Sequence, residues 1–169
     1  MRGRSVRLGP LAITFGLLFL GISLSPALLA QGAKDPVIGK WVLDPVASTF
    51  SGAVPEKRVL TFEAVGADAI KQIVDTTGAN GATDRSEFTA KFDGKDVPIT
   101  NSVLDFVSLK RVSPTKVERY GKRRSSKDEI VETQTRELSA DGKTLTVTTK
   151  GTDFDGNEYS SAQVFKRMP

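Results

Sequence analysis

No residue in this 169-residue chain can serve as an imidazole base or a thiolate, because histidine and cysteine are both absent. That removes the commonest general base, the commonest metal ligands and any disulfide framework. Carboxylates, lysines, tyrosines and hydroxyls remain. Ser108-Leu109-Lys110 has the spacing that sets both polar side chains on one side of a strand, as a serine with a lysine base requires. An ordinary alternating strand with Lys110 in solvent accounts for the same three residues, and short matches arise by chance. Two acidic segments, Asp93-Gly94-Lys95-Asp96 and Asp153-Phe154-Asp155-Gly156-Asn157-Glu158, carry oxygen donors for calcium. Neither follows the roughly 12-residue calcium loop with its terminal glutamate, and Asp-Gly is also the common hairpin turn. The expectation is no enzyme, no metal and no cofactor.

Binding chemistry has more to work with. Residues 116–127 gather Lys116, Arg119, Lys122, Arg123, Arg124 and Lys127 against Glu118. Such a run can draw an anionic ligand, a lipid surface or nucleic acid, but Tyr120 alone interleaves it, which is poor for base stacking. A solvated hairpin tip is the expected reading, with no nucleic-acid partner. In residues 129–138, Glu132, Gln134 and Arg136 share a parity with Ile130 and Leu138, while Val131, Thr133 and Thr135 share the other. With the first set inward, Arg136 lies inside the fold and can meet a ligand carboxylate, at the cost of burying a charge. The threonine content favours the second set inward, with Arg136 at the surface.

The elements that would position these groups begin after a leader. Arg2, Arg4 and Arg7 precede an almost wholly apolar run from Leu11 to Leu24, and Ser25-Pro26-Ala27-Leu28-Leu29-Ala30 offers small residues to a peptidase. This is the plan of a secretory signal peptide, helical and removed, rather than a retained anchor, because Pro26 breaks the helix and no positive charge follows to stop transfer. Residues 1–30 are read as signal peptide and 31–169 as one domain, exported to the periplasm or beyond the cell, with no stable membrane insertion once the leader is gone. The chain has 24 Lys and Arg against 20 Asp and Glu; removing three arginines (24 − 3 = 21) leaves the domain near +1. Near-neutrality gives no global pull toward nucleic acid or anionic membrane.

From Trp41 onward the chain reads as strand and turn. Residues 57–64 alternate, with Leu60, Phe62 and Ala64 on one face. Ser86, Phe88, Ala90 and Phe92 do so more clearly, before the tight turn at Asp93-Gly94. Further strands are expected over residues 37–43, 69–75, 104–112, 116–121, 129–138, 143–150 and 158–166. Residues 44–52 are expected to cross one barrel end, with room for a helical turn. Pro98 bars 96–99 from a central strand. Such a succession indicates an up-and-down antiparallel meander of about 8–10 strands, which loses its exposed edges by closing into a barrel. Phe62, Phe88, Phe92, Tyr120, Tyr159 and Phe165, with Arg136, are the candidates to line a cavity. The same side chains can instead fill the interior, as they normally do in small barrels.

Gly39 and Trp41 at the head of the first strand resemble the opening of lipocalin-like barrels, whose indole closes one end. The likeness extends through Ser86 to Pro98, Val107-Ser108-Leu109-Lys110-Arg111 and Ser139 to Thr152, which together look like a group of small exported bacterial proteins of lipocalin-like or calycin type. That resemblance implies an all-β barrel and a basic residue of the last strand stacked on the indole. Lys166 and Arg167 are both candidates, and Arg167 joins Gly39 and Trp41 as the barrel-closing set. The Arg-x-Tyr pair of fatty-acid-binding relatives is not supplied by Val164-Phe165-Lys166-Arg167. The fold implies binding of a small apolar or amphipathic molecule. The alternative is an interaction or structural domain of the cell envelope with a filled barrel.

Overall fold

Alternating runs become antiparallel strands throughout residues 35–126 and 129–169, which are the residues described by a computed structural model of the chain. The expected signal peptide (residues 1–30), residues 31–34, Lys127 and Asp128 lie outside them. The strands are β1 (Gly39–Thr49), β2 (Lys57–Val65), β3 (Ala69–Thr77), β4 (Thr83–Lys91), β5 (Val97–Pro98), β6 (Phe106–Ser113), β7 (Lys116–Lys122), β8 (Ile130–Leu138), β9 (Thr144–Thr152) and β10 (Glu158–Arg167). They form one sheet in the order β4-β3-β2-β1-β10-β9-β8-β7-β6-β5. Every neighbouring pair is antiparallel. The first and last strands meet as the alternation predicts, with Trp41 opposite Arg167 and Leu43 opposite Phe165. The remaining seam, between β4 and the β5–β6 region, is bridged where the Thr100 amide donates to the Glu87 carbonyl at 3.1 Å. The result is a nearly closed barrel.

The segment after Leu43 departs from expectation. It does not cross a barrel end as a loop or helical turn; β1 runs on through Pro45 to Thr49. Its register with β10 slips between Asp44 and Thr49. There the Ser48 and Thr49 hydroxyls accept from the Val164 and Ala162 amides (2.8 and 3.2 Å), replacing ladder bonds that the irregular backbone cannot make. Pro98 behaves as expected and confines β5 to two residues at the sheet edge.

The core runs along the barrel interior from the Trp41 end to Leu104 and Val107. Trp41, Phe62, Phe165, Leu109, Leu145 and Val107 are fully buried, each removing enough apolar surface for about 1.5–3 kcal/mol. The Trp41 indole donates to the Val37 carbonyl at 2.8 Å. The Arg167 guanidinium, not the Lys166 ammonium, lies over the indole, 4.1 Å from its centre. Arg167 also donates to the carbonyls of Gly142 (2.8 Å), Ile38 (2.9 Å) and Pro36, so one side chain ties the 36–38 segment and the turn at Gly142 to the last strand across the plug. Gly39, at φ 133°, has no Cβ to crowd Arg167 Nη1, which lies 3.1 Å from where one would be. Arg167→Ala is expected to cost about 2 kcal/mol in urea unfolding. Arg167→Lys should recover little of it, because an ammonium cannot make the same planar fork.

Candidate functional site

The paired registers fix which side chains point inward. On β8 the inward row is Glu132, Gln134, Arg136 and Leu138, opposite Gly151, Thr149, Val147 and Leu145 of β9. This corrects the expectation that Val131, Thr133 and Thr135 face the interior. Arg136 is 3% exposed, whereas Thr133 and Glu137 are exposed. β7 explains the choice, since its inward row is Val117, Arg119 and Gly121, opposite Arg136, Gln134 and Glu132. Burying this parity brings the Glu132 carboxylate against Arg119, and the two form a buried ion pair through Arg119 Nη2. The other parity would bury threonines but leave that pair unmade inside.

Within the basic run, Arg124 is exposed as a solvated tip requires, but two of the arginines are not. Arg119 and Arg123 are both buried. Arg123 donates to the carbonyls of Thr152 (2.6 Å) and Asp153 (3.1 Å) and stacks on Phe154. Tyr120 occupies the outward parity, opposite Ser108 and Thr133, and its hydroxyl donates to Glu118. It does not line the interior. Ser108 and Lys110 also face outward, the serine buried and the lysine exposed. In the acidic segments Asp93 accepts from the Lys95 amide at 3.1 Å, while Asp96 pairs with Lys122 at 2.7 Å. Asp153 accepts from the amides of Asp155 (2.9 Å) and Asn157 (2.8 Å), as hairpin turns do.

Two layers of inward polar groups surround Arg136. Its Nε donates to Gln134 Oε1 (2.9 Å), whose amide nitrogen donates to Thr149 (3.3 Å). Its guanidinium lies 5.4 Å from the Phe62 ring centre and 5.9 Å from that of Phe88. Among the described residues, Nη2 of Arg136 has no hydrogen-bond partner, and neither does Oε1 of Gln72, a buried residue that sits in register between those same two phenylalanines; Arg119 Nε and Arg123 Nε are likewise unbonded. Buried polar groups are normally satisfied, and Arg136 is the one of these cations without a direct carboxylate or backbone carbonyl partner among the described residues. Burial, with repulsion from Arg119 second, holds the Arg136 guanidinium well below its ordinary pKa, against a partial pull from Glu132. Of the two guanidinium groups in this buried layer, Glu132 bonds that of Arg119 and not that of Arg136. One positive charge is left over.

Tyr159 closes the layer on the side away from the plug. Its hydroxyl donates to the second Glu132 oxygen at 2.6 Å, and burial followed by this bond raises its pKa well above the ordinary value near 10. The ring reaches Glu132 by passing over Gly151, which lies between them in the sheet. A Cβ at Gly151 would sit 2.7 Å from the tyrosine oxygen. Gly151→Val should therefore displace Tyr159, break the bond to Glu132 and lower stability by about 1–3 kcal/mol. A tyrosine absorbance titration checks the bond directly. A folded-state pKa above the unfolded value contributes stability that is present below about pH 10 and lost as pH rises through the folded value. Wild type should thus lose stability in that alkaline window, and Tyr159→Phe should lose less.

Of the residues singled out from sequence, Phe62, Phe88 and Arg136 come together. Phe165 packs in the core, and Phe92 lies at the plug end under Arg111, 3.8 Å from its ring centre. Tyr159 belongs to the Glu132 network. Gly39, Trp41 and Arg167 form the plug. Gln72, Arg119, Glu132 and Gly151 complete the site without having been singled out as ligand contacts. Glycines inside strands at 121 and 151 were the available signal, since a strand glycine often marks close approach; Leu104 lies where a Cβ of Gly121 would be. The cavity that Arg136 lines holds about 20 Å³ and is walled by Phe62, Phe92 and Leu145. It adjoins a cleft of about 1240 Å³ at the plug end.

This architecture is that of a lipocalin-like, calycin-type barrel. Among solved structures, the fluorescent protein UnaG is similar with 15% identity and a TM-score of 0.50, over 78% of this chain and 96% of that one. The zebrafish ileal bile acid-binding protein complexed with cholic acid matches at 15% identity, TM-score 0.48, over 79% of this chain and 99% of that one. The siderocalin Ex-FABP matches at 13% identity, TM-score 0.45, over 79% and 71%. No family model matches the sequence, and no curated protein matches it.

Proposed function

We propose that the barrel binds a small amphipathic molecule carrying one negative charge, with its carboxylate or sulfonate on Arg136, beside Phe62 and Phe88. The observation that carries this reading is the unpartnered Nη2 of a guanidinium that is 3% exposed. A monoanion would satisfy that donor and cancel the surplus charge, which a neutral ligand cannot do. Charge-assisted bonds of this kind are about twice as strong as neutral ones. The solved bile acid-binding structure holds cholic acid, which is an amphipathic acid. We take the protein to be a binder rather than a catalyst, and from its leader to act after export.

A second reading has its own support. A cavity of about 20 Å³ holds no more than a water-sized guest, so a filled barrel serving as an interaction domain accounts for the packing. One titration decides between them. Anilinonaphthalene sulfonate should bind saturably at one site, and Arg136→Gln should weaken it tenfold or more, about 1.4 kcal/mol. Its uncharged analogue phenylnaphthylamine should show no such dependence on Arg136. Absence of saturable binding, or binding indifferent to Arg136, removes the ligand reading and leaves the filled-barrel one.

A further inference from the structure

The small cavity at Arg136 is separated from the large cleft by very little. Asp35, Pro36, Ile70, Phe92, Arg111 and Pro114 line both spaces. Arg111 is the cation among them. It lies over the Phe92 ring and pairs through Nη2 with the Asp35 carboxylate. The chain just after Asp35 is fixed, because Arg167 holds the Pro36 and Ile38 carbonyls and the Trp41 indole holds that of Val37. The Asp35 carboxylate is itself held there, accepting from the Val37 amide at 3.0 Å through Oδ1, so motion at this boundary falls to the Arg111 side chain. Arg111 retains appreciable exposure, with 32% of its side chain accessible against 15% for Asp35.

Registers place a second feature here. Arg111 pairs with Val117 across β6 and β7, and Val117 pairs with Arg136 across β7 and β8. Arg111 and Arg136 therefore stand in one inward row, two strand spacings or about 10 Å apart, with Val117 as the step between them. The cleft outside is lined by apolar Ile38, Ala69 and Val112, with the Lys91–Asp68 ion pair and Asp93 among its charged residues.

We propose that the plug end is the ligand's doorway and the seat of its apolar tail, with Arg111 as the first anion contact and Asp35 as the latch. The inference rests on reading Arg136 as an anion seat. An incoming carboxylate exchanges with that of Asp35 on Arg111, so an ion pair is replaced rather than lost. Arg111 then swings from Phe92, the head group passes Val117 to Arg136, and the tail remains in the cleft. This also resolves the mismatch between a cavity of about 20 Å³ and an amphipathic guest: only the head group enters the barrel.

The chain contains no cysteine, so single engineered thiols report access without background. Val117→Cys places one on the step between the arginines, and Thr149→Cys places one in the inward row farther from the plug. Each is made with and without Asp35→Asn, and modification is timed with a charged reagent, sulfonatoethyl methanethiosulfonate, and an uncharged one, methyl methanethiosulfonate. Asp35→Asn should accelerate both reagents at position 117 by tenfold or more and leave position 149 unchanged. Bound anilinonaphthalene sulfonate should protect position 117. Unchanged rates at 117, equal acceleration at 149, or acceleration confined to the charged reagent would overturn the doorway. Failure of the probe to bind wild type would instead sink the anion-seat reading, and these thiol rates, measured without ligand, keep the two failures apart.

Discussion

Arg136→Met should raise the melting temperature by several degrees while abolishing anion binding. Methionine fills a similar elongated space beside Phe62 and Phe88 and brings no charge to be desolvated. The wild-type guanidinium is buried, lacks a carboxylate of its own, leaves Nη2 unbonded and is repelled by Arg119. Replacing buried ionic groups with apolar ones of similar volume commonly stabilises by about 1–4 kcal/mol, and in a domain of this size each kcal/mol moves the midpoint by about 4 °C. Thermal melts of both proteins, with and without anilinonaphthalene sulfonate, test this directly. Wild type should be stabilised by the probe and the variant should not. A variant that melts lower than wild type would mean that Arg136 holds the empty barrel together, and the anion seat would fall with that result.

Glu132→Gln should act in the opposite direction and more strongly. Glu132 is the carboxylate that pairs Arg119, accepts from Tyr159 and partly offsets the charge of Arg136. Its amide replacement leaves both guanidinium groups buried without a counter-charge. Removing one partner of a buried pair costs about 3–5 kcal/mol, enough to lower the midpoint by more than 10 °C. Adding Arg119→Met to Glu132→Gln should recover most of the loss, since the orphaned cation goes with it. A double-mutant cycle in urea gives the coupling. If Glu132→Gln alone costs less than about 1 kcal/mol, the pair is open to water in solution, and the charge count that leaves one cation over is wrong.

The barrel was legible because period-two alternation survives in each strand separately. Phe88 and Ala90 needed no partner to declare their face, and neither did Leu60 and Phe62. The site was harder to see because its faces are set between strands. Within β8 alone, threonines make Val131, Thr133 and Thr135 look like the inner row. The decision belongs to Arg119 on β7, which the sequence offers only as one cation in a basic run. Tyr120 was misplaced for the same reason, since an aromatic beside an arginine looks like the inward one until Val117 and Gly121 fix the parity. The course of β1 past Pro45 was hidden because hydroxyls of Ser48 and Thr49 stand in for backbone donors and acceptors.

Because β1 is hydrogen-bonded to β10, the sheet's earliest and latest ribbons are sequence-distant neighbours. A nascent chain therefore carries an unsealed edge on β1 until its final segment emerges. Such long-range pairing slows folding and prolongs exposure to aggregation. The protein is most vulnerable before Phe165 and Arg167 arrive, which makes the C-terminal ten residues a checkpoint for assembly and the loss of even a few of them disproportionate in effect.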